Sequence, residues 1–271
     1  MIEVKNINKS FDGNTVIKNI SARFDTGKTN MIIGQSGSGK TVLLKCIIGL
    51  YSADSGRVEY DGRNLTQMKM SEIRMLRREV GMLFQGSALF DSMSVLQNVL
   101  FPMEMFSDKT KTEQLERAKF CLNRVNLQEK SFVLMPSEIS GGMQKRVAIA
   151  RALVLQPKYL FCDEPNSGLD PKTSLIIDKL IHELTREFNI TTIINSHDMN
   201  SVMEIGENII FINNGQKAWQ GSKEQIFDSQ NSELEDFVFA SELYKKVKIS
   251  HTKKINLNFI ENNENGIKNK N

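Results

Sequence analysis

The chain reads as an α/β protein built on a mostly parallel sheet with helices on both faces, and three observations predict this. Short apolar strands alternate with helical stretches over much of its length. A glycine-rich loop, Gly34-Gln35-Ser36-Gly37-Ser38-Gly39-Lys40-Thr41, lies between a strand and a helix. From Gly86 to about Lys158 the texture changes to helices alone, which predicts a helical subdomain (about 86–158) inserted into the core.

Residues 1–30 are strand-rich and predict an antiparallel β region. Ile2, Val4 and Ile7 precede a turn at Phe11-Asp12-Gly13-Asn14, and Val16, Ile17, Ile20, Ala22 and Phe24 follow it. Met31-Ile32-Ile33 is the strand before the glycine-rich loop, and Val42 to Leu50 the helix after it. Tyr60-Asp61-Gly62-Arg63 is a second hairpin turn, Ser71 to Arg78 a short basic helix, and Val80 to Phe84 a compact strand ending at Gln85. Ser94-Val95-Leu96-Gln97 has capping-box form and opens a helix. Thr112 to Asn126 and Met143 to Leu155 continue in helical spacing until Gln156-Pro157. Tyr159 to Asp163 is a buried strand. Ser174 to Phe188 follows as an amphipathic helix with Leu175, Ile176, Leu180, Ile181 and Leu184 on its stripe. Ile190 to Asn195 and Asn208 to Asn213 are further strands, the latter closed by Asn214-Gly215.

Composition narrows the class. The chain of 271 residues suits one large α/β domain or two small ones. It carries no apolar run long enough to span a bilayer and no secretory leader, which predicts a cytoplasmic protein that reaches a membrane only through a partner. Cys46, Cys121 and Cys162 are widely spaced, which argues against a disulfide framework or zinc site. The net charge of +3 is uneven: Lys245 to Asn271 holds seven lysines and two glutamates, leaving −2 elsewhere. The folded part is therefore not a general nucleic-acid surface. The expected layout is a single domain over 1–225, a helical extension over 226–249, and a basic, disordered tail over 250–271.

The chemistry concentrates at strand ends. The loop backbone from Gly34 to Gly39 can curl its N–H groups onto phosphate oxygens, with Lys40 reaching the β- and γ-phosphates and Thr41 offering a hydroxyl to Mg²⁺. Asp163, ending an apolar strand, can supply a carboxylate to Mg²⁺ directly or through its waters, and Glu164 beside it can orient or deprotonate an attacking water. His197 follows another apolar strand and can hydrogen-bond a γ-phosphate oxygen. Ser140-Gly141-Gly142 opens a second anion-gripping helix start. Two chains packed head to tail can each complete the other's site.

The ordered set GQSGSGKT, Gln85, SGGMQ, YLFCDEP, SGLD and SHD resembles the nucleotide-binding subunit of ATP-binding-cassette (ABC) transporters over about residues 1–225. The resemblance implies a P-loop NTPase (RecA-like) core that hydrolyses ATP with Mg²⁺. It also implies a homodimer docked on integral-membrane permease subunits at the cytoplasmic face of the inner membrane. It implies that Phe11 stacks on adenine and that Gly34, Gln35, Ser36, Gly37, Ser38, Gly39, Lys40, Thr41 and Val42 hold phosphates. Thr41, Gln85 and Asp163 serve the metal in that family. The resemblance further implies that Glu164 is the base, His197 the γ-phosphate sensor, and that Gln85 touches the attacking water and reports to the permease. It implies too that Ser140 and Gly142 contact the γ-phosphate bound by the other protomer and that Asp170 communicates across the dimer. Met143 stands where the family's commonest signature has Gln. With the segment Leu89-Phe90-Asp91-Ser92 and Val95, Asn98 and Val99 after it, this resembles the Mla-type ATPases. Those energise phospholipid movement between the two membranes of diderm bacteria, with a permease and an MCE-domain lipid-binding protein as partners. A transporter of a non-lipid solute and, more distantly, a soluble ABC ATPase acting on nucleic acid or the ribosome are the alternatives.

Overall fold

The computed structural model describes residues 1–240 and 244–246. β1 (Ile2–Phe11) and β2 (Asn14–Phe24) form an antiparallel hairpin. Asp12 at φ 48° and Gly13 at φ 80° make its turn, both in the left-handed region that a tight hairpin selects. β3 (Thr29–Ile33) enters a second sheet and α1 (Lys40–Ile48) follows it. β4 (Ser55–Tyr60) pairs back with β1, and the Asp61-Gly62 turn leads to β5 (Arg63–Asn64). The first sheet thus has the order β2-β1-β4-β5 and is antiparallel throughout. α2 (Met70–Arg78) leads into β6 (Val80–Leu83).

After β6 the chain runs through α3 (Val95–Phe106), α4 (Lys111–Arg124) and α5 (Gly141–Leu153). α3 opens with a reciprocal cap. Ser94 N donates to Gln97 Oε1 at 2.8 Å and Gln97 N donates to Ser94 Oγ at 3.3 Å. β7 (Tyr159–Asp163), α6 (Pro171–Glu187), β8 (Thr191–Ser196), α7 (Met199–Ile205) and β9 (Asn208–Asn213) resume the alternation. β10 (Gln216–Gly221), α8 (Lys223–Phe227) and α9 (Ser232–Val238) follow. The second sheet has the order β10-β9-β3-β8-β7-β6, parallel except for the β9–β10 hairpin at its edge.

Successive residues of each central strand face opposite layers. Ile32, Phe161, Ile193 and Ile210 pack with Leu43, Leu44 and Ile47 of α1 and with the first sheet. Met31, Ile33, Leu160, Cys162 and Ile194 pack under α5, α6 and α7. Ile226, Leu234 and Val238 of α8 and α9 join that second layer. The expected tail over 250–271, and part of the extension over 226–249, lie outside the described residues. All three cysteines are free and buried.

α6 departs from the sequence expectation at its start and on its face. It begins at Pro171 rather than near Ser174, because Asp170 caps it and Pro171 fits the first helical position. Its buried stripe is Ile177, Asp178, Leu180, Ile181 and Leu184, whereas Leu175 and Ile176 are 38% and 40% exposed. The set Ile177, Leu180, Ile181 and Leu184 is the true i, i+3, i+4, i+7 row, and Leu175 and Ile176 lie outside it. A carboxylate, Asp178, therefore occupies the core face beside that row.

Candidate functional site

β3, β7 and β8 are adjacent and end together, so the segments after them converge at one sheet edge. Ile32 is in register with Asn195, and Asn195 with Asp163. The carboxyl ends of parallel strands are where open α/β sheets gather ligands.

The loop after β3 is shaped by its glycines. Gly34 has φ 150°, and a Cβ there would lie 2.2 Å from the Ile212 carbonyl oxygen on β9. Gly39 has φ 102°, and its Cβ would lie 2.9 Å from the Ile17 side chain. Both positions exclude any side chain, so the loop is fixed by close approach to core strands. Gly215 N donates to Ser38 O at 3.1 Å, which ties the loop to the β9–β10 turn. Gln35, Ser36 and Gly37 are exposed, whereas Ser38 and Lys40 are buried. Lys40 Nζ turns back onto its own loop, donating to Gly34 O at 2.8 Å and Gln35 O at 2.9 Å. Burial pushes the Lys40 ammonium below its usual pKa, against the opposing pull of the Glu164 and Asp163 charges. The Ser38 hydroxyl is buried without a partner.

Thr41, Asp163 and Asn195 form a polar triangle. Asn195 Nδ2 donates to Asp163 Oδ1 at 2.9 Å and to Thr41 Oγ1 at 3.2 Å. The Asn195 Oδ1 atom is buried with no hydrogen-bond partner. This donor set is made of hard oxygens, and an orphaned acceptor sits beside it, which fits Mg²⁺ and its waters. Among the described residues no group of three His, Cys, Asp or Glu forms a self-sufficient metal cage. An ion here needs phosphate oxygens as well, as Mg²⁺ in nucleotide sites does.

Glu164 follows directly. Its backbone is in the left-handed region at φ 46°, a sparsely populated conformation for a side-chain-bearing residue. Glu164 N donates to Asn195 O at 2.9 Å, which holds that conformation. Its carboxylate accepts from His197 Nδ1 at 2.9 Å, joining the residues that directly follow β7 and β8. His197 is exposed at the mouth of the site.

The remaining predicted residues lie around this centre. Gln85 Nε2 donates to Ser167 Oγ at 3.2 Å, and its backbone carbonyl accepts from Lys145 Nζ on α5. Arg151 of α5 donates to Ser87 O and Ala88 O, each at 2.7 Å. Phe11, at the tip of the β1–β2 hairpin, is 37% exposed and packs edge-on to Tyr51 with centroids 5.3 Å apart. Val42 lies in the first turn of α1 and is half-buried. Ser140 caps α5, its Oγ accepting from Met143 N at 3.3 Å. Gly142 packs so closely on Thr173 that a Cβ would lie 2.7 Å from its Cγ2. Asp170 caps α6, its Oδ1 accepting from Lys172 N and Thr173 N at 3.1 and 3.0 Å. Among the described residues no hydrogen bond links Ser140 or Gly142 to the loop at Gly34–Thr41.

Sequence reasoning missed Asn195, Lys145, Arg151 and Tyr51, and carried Ser167 only as part of the SGLD motif. Only Asn195 left a signal: in the run Thr192-Ile193-Ile194-Asn195 it breaks an apolar strand at the position sharing a face with Ile193. Also missed was Asn166, whose Nδ2 donates to Asp178 Oδ1 at 2.8 Å and to Ser201 Oγ at 3.0 Å.

With this geometry in place, comparison with known proteins decides the family. The ABC transporter family model matches residues 17–167. The chain belongs to the ABC transporter family. This ABC ATPase is 39% identical over 242 residues to the methionine import ATP-binding protein MetN of Clostridium acetobutylicum, covering 89% of this chain and 75% of that one. It is 34% identical over 258 residues to MetN of Campylobacter jejuni, covering 89% and 76%. It is 34% identical to the sulfate/thiosulfate import ATP-binding protein CysA 2 of Shewanella oneidensis, covering 85% of this chain and 64% of that one. Among solved structures, the dimeric bacterial ABC transporter cassette MJ0796 superposes with TM-score 0.74 at 32% identity, covering 82% of this chain and 98% of that one. The cbiO1 subunit of Clostridium perfringens superposes with TM-score 0.79 at 29% identity, covering 93% and 98%. The same MJ0796 cassette is known in a post-hydrolysis state bound to ADP and Pi. The α/β P-loop ABC fold expected from the sequence is the fold observed. The chain is an ATP hydrolase that binds ATP with Mg²⁺. No helix among the described residues is long and apolar enough to cross a membrane.

Proposed function

We propose that this ABC ATPase is the motor subunit of a membrane transporter. It acts as a homodimer in which Ser140 and Gly142 of each protomer close on the nucleotide of the other. The observation that carries this reading is the Glu164–His197 pair at 2.9 Å on the same sheet edge as Lys40, Thr41 and Asp163. Lys40 exchanges the Gly34 and Gln35 carbonyls for phosphate oxygens. Thr41 and Asp163 serve Mg²⁺, which when bound neutralises charge on the phosphates. Glu164 takes a proton from the attacking water at its carboxylate, and His197 orients that carboxylate and reaches the terminal phosphate. Lys145 and Arg151 couple the helix that starts at Ser140 to the carbonyls of Gln85, Ser87 and Ala88. Movement of α5 over a nucleotide therefore carries the Gln85 loop with it.

In this reading residues 1–225 are the motor domain and the helices within 86–158 meet the permease, at the cytoplasmic side of the membrane. Met105 and Phe106 of α3, with Phe84 and Phe90 on the segment leading to it, are exposed apolar side chains, and they suit a permease contact. The cargo is a small non-lipid solute: the relatives named above are import ATPases for methionine and for sulfate or thiosulfate, and that likeness supports an importer. A second reading, phospholipid movement with an MCE-domain partner, is favoured by Met143 and by the segment after Leu89. Asn98 pins that segment, accepting from Phe90 N at 2.8 Å and donating to the Phe90 and Met93 carbonyls at 3.1 and 3.0 Å.

Glu164→Gln tests the motor. Turnover falls by about 100-fold or more while ATP-dependent dimers persist in light scattering; undiminished turnover removes Glu164 from the base position. Isolation from native membranes in mild detergent, with mass spectrometry, tests the cargo. A solute permease supports the importer, and a permease with an MCE-domain protein and phospholipid replaces it.

A further inference from the structure

Among the described residues, Asn195 is the one side chain that hydrogen-bonds both Thr41 Oγ1 and Asp163 Oδ1. It projects from β8 on the face that carries Ile193, toward α1, and is in register with Asp163 on β7. Both N–H groups of its amide are used, one on Asp163 Oδ1 at 2.9 Å and one on Thr41 Oγ1 at 3.2 Å. The carboxylate of Asp163 decides the amide's orientation, since the opposite one would set oxygen against oxygen. Two consequences follow. Thr41 Oγ1 has one lone pair occupied, so its rotor is fixed and its other lone pair is left for an ion. The Asn195 Oδ1 atom is buried and orphaned, and an orphaned buried acceptor calls for a water or ion.

We propose that Asn195 is a positioning residue for Mg²⁺: its amide N–H groups hold Thr41 and Asp163 in register, and its Oδ1 accepts a hydrogen bond from a water of the ion's shell. This rests on the reading of Thr41 and Asp163 as the ion's protein oxygens. The role is separate from the support of Glu164, which uses the Asn195 backbone carbonyl and survives any side-chain change. Partners that orient metal ligands typically contribute 10- to 100-fold in metal affinity.

The test measures ADP binding to the full chain by calorimetry, first in EDTA and then across a Mg²⁺ titration. Asn195→Leu removes the amide at similar volume. Asn195→Ser is a smaller change that cannot reach both partners, and it serves if the leucine variant does not fold. Each is expected to bind ADP in EDTA within about twofold of the parent, and to need about tenfold more Mg²⁺ for half-maximal enhancement of binding. A Mg²⁺ requirement equal to the parent's overturns the proposal. Equal loss of affinity with and without Mg²⁺ also overturns it, because the side chain then only supports the fold. Thr41→Ala separates the two levels. If its Mg²⁺ requirement rises and that of the Asn195 variants does not, only the Asn195 role fails. If none of the variants shifts, the metal position itself is misassigned.

Discussion

The loop at Gly34–Thr41 and the loop at Gln85–Phe90 are both irregular segments leaving β-strands, and they are held in opposite ways. The first is fixed by its own glycines, two of which press directly on core strands. The second places non-glycine residues in the left-handed region, Ser87 at φ 61° and Ala88 at φ 48°, and is held by Lys145 and Arg151 reaching in from α5. A loop whose glycines lie against core strands keeps its shape for as long as the core does. A loop held by cations on a neighbouring helix keeps its shape only while that helix stays in place. The first suits a phosphate cradle and the second suits a transmitter.

The largest effect should come from breaking the glycine-built loop. Gly34→Ala sets a methyl against the Ile212 carbonyl and should lower stability by about 3 kcal/mol, combining backbone strain with overpacking. Thermal unfolding and loss of ADP binding read it, and a parent-like melt with intact binding would show that the loop tolerates a side chain.

The next effect lies at the seam between the loops, where Ser167 meets Gln85 and the adjacent Asn166 meets Asp178. Burial raises the Asp178 carboxyl to a pKa of about 6; hydrogen bonds from Ser201 and Asn166 oppose this, and the Asp198 and Glu204 charges add to it. The folded state therefore holds this proton more tightly than the unfolded state. Stability contributed by the protonated acid is present below about pH 4 and is lost as pH rises through about 6. The full difference is about 3 kcal/mol as an upper bound. Asp178→Asn should flatten that window and raise the melting temperature at pH 7.5. An unchanged difference between pH 5 and 7.5 in the variant would locate the titration elsewhere.

Arg151→Met should be smaller. It releases the Ser87 and Ala88 carbonyls and should cost about 1–3 kcal/mol, with faster amide exchange across 86–90 and ADP affinity unchanged within about twofold. Equal exchange would mean that α5 does not hold this loop. The smallest effect is a gain. Ala88→Gly relieves a left-handed alanine on an exposed loop and should stabilise by at most about 1 kcal/mol, offset in part by unfolded-state entropy. A destabilised variant would show that the strain is not stored there.

Much of this molecule was legible in the chain. Strand ends, hairpin turns and helix caps are local, so Asp12-Gly13, Asp61-Gly62 and the Ser94 cap appear where their residue types predict. The convergence of the glycine-rich loop, Asp163, Glu164 and His197 was legible because each ends or directly follows an apolar strand, and parallel sheets gather such ends at one edge. The face of α6 was misread: Leu175 and Ile176 are as apolar as Ile177, but only Ile177 completes the i, i+3, i+4, i+7 row with Leu180, Ile181 and Leu184, and that row is the one buried.

The sequence by itself determined the strands, the turns, the glycine-shaped cradle and the chemical types that converge on it, because those depend on backbone freedom and short-range periodicity. Only the tertiary structure decided that Asn195 bridges Thr41 and Asp163, that α5 grips the Gln85 loop, and that Asp178 is buried against Asn166. Those pairings join side chains on different segments, and their partners are chosen by how strands, helices and loops pack against one another, which no local pattern encodes.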